Sequence, residues 1–176
     1  MTISQPHPLS AFQTGAFVTG TTSVMPLLST EIAVTIAGGL AEITTRRVFT
    51  NPCSSSIEAS ITLPIPIDAV VLGLRAELDG RTLVGVAKMR AAARDQFEQA
   101  IDDGKTAVLH EELIRGIHRI SVGHVPPGKE VMVETVYGQV LTCAGGPARL
   151  RIPNTVGDVY GRSPLAGTDD LITSPS

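Results

Sequence analysis

"IEASITLPIPIDAVVLGLRAELDGRTLVGV", residues 57–86, is the stretch that decides the fold class. Ile57, Ala59, Ile61 and Leu63 fall on one side of its first part and Glu58, Ser60 and Thr62 on the other. That period of two is the mark of a half-buried strand. Residues 70–78 alternate again, which predicts Val70, Leu72, Leu74, Ala76 and Leu78 on one face, opposite Arg75 and Glu77. Asp79-Gly80 then supplies a two-residue hairpin turn, whose positions favour positive φ. Residues 81–86 read as the return strand.

Working outward, the same period recurs on both sides. In residues 31–36 Ile32, Val34 and Ile36 share a face. Downstream, residues 106–113, 116–123 and 148–153 read as further strands. Residues 129–141 form the longest, with Val131, Val133, Thr135 and Tyr137 on one face. Pro126-Pro127-Gly128 makes a turn, Pro127 fixing φ and Gly128 taking the left-handed position. Many short strands with regular turns predict a mainly β protein, an antiparallel β-sandwich. Residues 1–30, scattered with Pro, Gly, Ser and Thr, are expected to be a loose N-terminal arm. Residues 31–160 are expected to form the domain and 161–176 a flexible tail.

One segment breaks the pattern. At 100° per residue Val86, Met89, Ala93, Phe97, Ala100, Ile101 and Gly104 fall in one arc, with Lys88, Asp95, Glu98, Gln99 and Asp102 opposite. The spacing predicts one α-helix over about residues 86–103, stopped by Gly104 and packed on the sandwich at an open end or flank. Arg94 and Glu98 stand one turn apart and are expected to pair weakly. Asp102 and Asp103 sit at the negative end of the helix dipole and are expected to face solvent.

Bulk properties exclude several functions. The chain has 176 residues, 43% hydrophobic and 18% charged, with net charge −3. It is expected to be one folded domain with a real core. There is no basic field for nucleic acid or an anionic membrane, and Trp is absent. No stretch is long and apolar enough to span a bilayer as a helix, and no signal peptide is visible, so the compartment stays open. Cys53 and Cys143 lack a metal-type CxxC spacing. Buried free thiols are the expectation, with a single disulfide the alternative.

The motifs that carry chemistry are each incomplete. Gly104-Lys105-Thr106 ends like a phosphate loop, but position 99 holds Gln99 where the first glycine belongs. His110, His118 and His124 can be imagined around zinc, with Glu111 or Glu112 as base, and a metal-dependent hydrolase of unrecognised type using them is the alternative function. Their spacing does not force convergence. Neither cysteine stands at a helix N-terminus, where a thiolate would be stabilised. The adjacent carboxylates Glu111-Glu112 point to opposite faces of a strand.

Laid out in this order, the chain resembles the vault protein inter-alpha-trypsin (VIT) domain. The resemblance is carried by Phe49, Asn51, Glu58, Leu63 and Pro64 in residues 48–71. It continues through Asp79-Gly80-Arg81, Ala92, Phe97, Ala100, Gly104 and the strand at 107–109. It ends on Ile120, Ser121, Val122, Pro127, Gly128 and Tyr137, with residues 150–160 like the family's closing strand. Phe97 stands where the family usually has Tyr, and Gly157-Asp158 replaces the usual Pro-Arg before Tyr160. The resemblance implies a sandwich with one helix, acting as a non-catalytic interaction or scaffolding module on a protein partner or an adjacent domain in cis. It implies a neighbouring von Willebrand factor A-type domain, whose cation-binding Asp-x-Ser-x-Ser motif this chain lacks. The chain is therefore expected to be part of a longer one. No catalytic, cofactor-binding or metal-binding residue is assigned.

Overall fold

Ten strands and one helix occur among the residues that the computed structural model describes, 16–18, 24–142 and 145–154. In chain order they are β1 (Ala16–Val18), β2 (Val24–Met25), β3 (Leu27–Ala37), β4 (Leu40–Thr50), β5 (Ile57–Pro64), β6 (Val70–Leu78), β7 (Arg81–Val84), α1 (Arg90–Asp102), β8 (Val108–Ile114), β9 (Ile117–Val125) and β10 (Glu130–Val140). The strands form two five-stranded antiparallel sheets, ordered β2-β1-β5-β9-β8 and β3-β4-β10-β6-β7. The predicted antiparallel sandwich with one helix is what the chain adopts.

Turn chemistry sets the registers. Asp79 and Gly80 both take positive φ, 50° and 74°, and Leu78 faces Arg81 across the turn. Gly38 and Gly39 do the same between Ala37 and Leu40. Gly128 has φ 66° at the foot of the Pro126 turn, where the Lys129 amide donates to the Pro126 carbonyl. With registers fixed, alternation delivers the core. Phe49 faces Val131, which faces Leu78, and Ile43 faces Tyr137. These meet Ile57, Ala59, Ile61, Leu63, Ile120 and Val122 from the other sheet.

Polar side chains share this interior. Thr45 and Thr135 lie opposite each other with their hydroxyls 2.6 Å apart. Arg47, 3% exposed, donates to Thr45 Oγ1 (3.0 Å) and Asn154 Oδ1 (3.2 Å). Burial presses its pKa below the ordinary guanidinium value. The buried Tyr137 hydroxyl has no hydrogen-bond partner among the described residues. An unsatisfied buried hydroxyl costs free energy instead of adding it. Tyr137→Phe is therefore expected to leave stability unchanged or raise it by about 0.5–1 kcal/mol, measured by urea unfolding.

Four expectations are revised. Val70 and Leu72 face out, 63% and 57% exposed, while Leu74, Ala76 and Leu78 face in. A register shift opposite Val136/Tyr137 adds a residue to β6 and flips the strand below Gly73. The helix starts at Arg90 instead of 86, and Val86 and Met89 are 76% and 83% exposed. Met89 makes no side-chain cap and the first turn carries no acid, so nothing local extends the helix upstream. Residues 148–153 form no strand, only a bridge between Thr142 and Arg149, although Leu150 and Ile152 pack on the core. The stretch read as a loose arm contributes β1, β2 and the first residues of β3.

Candidate functional site

The helix lies outside the sandwich, on the outer face of β8 and β9. On β9 Ile120 and Val122 point inward, so Ser121 and Gly123 point outward. Leu109 and Glu111 of β8, opposite Ser121 and Arg119, share that outer side. A Cβ on Gly123 would stand 1.9 Å from Ile101 Cδ1 and 3.9 Å from the Phe97 ring. The absent side chain is what lets the helix settle on the strand. Phe97 is the buried residue of α1 and Leu109 is buried beneath the same layer. The expected packing role holds, and of the two places expected, an open end or a flank, the helix takes the flank, on the outer side of β8 and β9.

Charge fixes the other end of the helix. Arg94 donates to Glu111 Oε1 at 2.7 Å and Arg90 lies 3.4 Å away, with the Glu111 side chain only 7% exposed. Arg94 thus turns to β8, and the expected pairing with Glu98 is displaced by a less solvated carboxylate. Glu111→Gln is expected to cost about 1–3 kcal/mol, less than the loss of a fully buried pair, because the partly exposed arginines it releases can rehydrate. Urea unfolding checks the value. Glu112 points the other way and accepts from the Gly116 amide, so the two carboxylates diverge as the strand period requires.

The helix ends in a full C-terminal cap. Gly104, at φ 69°, donates its amide to Ile101 and Lys105 donates to Ala100. Gly104-Lys105-Thr106 is therefore helix termination and not a phosphate cradle, with Lys105 Nζ 2.8 Å from Asp103. Asp103 also accepts from Gln99, and hydrogen bonding to Lys105 lowers its pKa.

The three histidines do not converge. His110 and His118, diagonal neighbours on the inner side of β8 and β9, share a hydrogen bond of 3.1 Å between Nε2 and Nδ1. Burial, then the neighbouring His118, pushes the His110 pKa down from its ordinary 6.5 to about 4. Burial likewise lowers that of His118, with Glu112 opposing. His124 stands six residues further along β9, about 20 Å at strand rise. It adopts φ 56° and donates to the Ile101 carbonyl at 3.0 Å. His124 is a helix-end clasp. Among the described residues no group of three or more His, Cys, Asp or Glu is arranged to hold a metal.

Cys53 is a free thiol beside the core, and Cys143 lies outside the described residues. Asn51 pins the turn before Cys53, donating to the Ser55 and Val125 carbonyls at 2.9 Å and accepting from the Cys53 amide at 2.8 Å. Gly123 escaped the sequence reading, although a glycine interrupting a strand marks close backbone approach. No helix among the described residues is long and apolar enough to cross a membrane.

Similarity to known proteins falls on this same framework. The profile of the vault protein inter-alpha-trypsin domain matches residues 27–137. The protein mono-ADP-ribosyltransferase PARP4 of Mus musculus is 29% identical over 75% of this chain and 7% of its own length. The von Willebrand factor A domain-containing protein 5A of Rattus norvegicus is 27% identical over 88% of this chain and 19% of its own. The inter-alpha-trypsin inhibitor heavy chain H3 of Rattus norvegicus is 29% identical over 69% and 14%. The chain thus spans less than a fifth of each of these three relatives.

Proposed function

Since the chain belongs to the vault protein inter-alpha-trypsin (VIT) domain family, we propose that it is a non-catalytic protein-interaction module that docks against a neighbouring domain of its own polypeptide. The observation that carries this is the company the module keeps. The same region recurs in a protein named for ADP-ribosyl transfer, in one named for a von Willebrand factor A domain and in an inhibitor heavy chain. A region shared by such differently named proteins serves a need common to them. The transferase name does not travel with a match to 7% of that protein.

The arrangement of polar groups supports the same reading. Glu111, His124, Asn51 and Asp103 are all engaged in holding the helix or a turn. The acidic outer side of α1, with Asp95, Glu98 and Asp102, offers a surface complementary to a basic partner. The test is calorimetric titration of the purified chain with the folded domain that its polypeptide carries next, a von Willebrand factor A-type domain on this reading. Saturable binding that Glu98→Lys with Asp102→Lys weakens is the expected result. Heats no larger than dilution would overturn the proposal.

A further inference from the structure

We propose that two copies of this chain pair through β3, antiparallel about a two-fold axis at Val34, to form one continuous ten-stranded sheet. Natural sheets protect their edges by keeping them short, charged, bulged or covered. Among the described residues three of the four sheet edges obey. β2 has two residues, β7 has four and begins with Arg81, and β8 carries Glu111 and Glu112, a register shift and the helix on its outer face. β3 does not. It is an 11-residue strand that pairs only with β4 among the described residues, and Glu31 is its one charge. That charge stands 3.7 Å from Arg46 of its own subunit.

Backbone and side chains of β3 point to the same partner. Ala37 and Leu40 close a two-residue hairpin, so Ala37, Thr35 and Ala33 spend their backbone groups on β4. Ile36, Val34 and Ile32 then hold their N–H and C=O groups toward the open edge. The side chains of these same three residues lie opposite Ala41, Ile43 and Thr45, on the core side of the sheet, yet are 58%, 40% and 42% exposed. The sheet overhangs the sandwich along this row.

The strand is complementary to itself. With Val34 on the axis, Ile32 faces the partner's Ile36 and Thr35 faces the partner's Ala33. Glu31 faces the partner's Ala37, so no like charges meet. The ladder satisfies the open backbone groups, and the two apolar rows become one. This pairing is independent of the docking proposed above, which uses the helix on the other sheet.

Sedimentation of the 176-residue chain over a wide concentration range tests it. The expected result is a reversible species of twice the 18.4 kDa chain mass. Val34→Lys, which sets two ammonium groups together at the axis, is expected to raise the dimer dissociation constant about a hundredfold or more. Val34→Pro removes an edge-facing N–H while sparing the bonds to β4, and should give a folded monomer by circular dichroism. Residue-resolved hydrogen exchange should slow at Ile32, Val34 and Ile36 on dimerisation and not at Ala33 or Thr35. A monomer at every concentration, its edge left to another segment or another protein, would overturn the inference. So would a dimer that both variants leave intact.

Discussion

Replacing Phe97 with alanine is expected to lower the unfolding free energy by about 3–4 kcal/mol. The ring is the large apolar group that α1 buries, 8% exposed against Gly123 and its surroundings. A helix of 13 residues has little stability alone. Arg94–Glu111 and the Gly104 cap position it without supplying much burial. The loss should therefore fall on the helix first. Circular dichroism at 222 nm should show helical signal lost at lower urea than the β signal, and Phe97→Leu should recover most of it. A shift below about 1 kcal/mol would mean that the ring does not anchor the helix.

Acid should weaken the protein through the histidine pair. His110 has its folded pKa depressed to about 4 and its ordinary value is 6.5. The unfolded chain then binds the proton that the folded one refuses. The stability tied to neutral His110 is complete above pH 6.5 and is lost as pH falls from 6.5 toward 4. His118 shifts in the same direction. For His110 alone the window is worth up to about 3 kcal/mol. Urea midpoints taken between neutral and acid pH should fall steeply in the unaltered chain and less in His110→Gln. An equal acid slope in both would refute the assignment.

Much of this architecture was legible because alternation and turn chemistry agree. Asp79-Gly80 and Pro127-Gly128 fix registers, and the inward rows of β5 and β10 follow from a period of two. The exceptions have physical causes that alternation does not encode. An added residue in β6 turns Val70 and Leu72 outward without changing their pattern. Ile32, Val34 and Ile36 do share a face, but a period says nothing about whether anything covers it. In β4 the inward row runs Ala41, Ile43, Thr45, Arg47 and Phe49, and its two polar members hide the apolar alternation that would signal a strand.

The site residues divide the same way. The divergence of Glu111 and Glu112 follows from strand geometry, and the end of α1 at Gly104 from its left-handed preference. The contact between His110 and His118 becomes visible only when residues 108–125 are folded about the Arg115-Gly116 turn. Its place on the inner side of the sheet needs the register shift after Glu112 as well. The seat of the helix depends on one absent side chain, at Gly123, facing Ile101 and Phe97 across more than twenty residues of sequence.

That seat is the central claim: the helical segment is a brace laid on the outside of one sheet, which leaves the inter-sheet core to strands. Nuclear Overhauser effects from the Phe97 ring protons test it most directly. The account predicts strong effects to the Gly123 α-protons and to Leu109. Effects to Ile61 and Val131, both inside the sandwich, with none to Gly123, would contradict it.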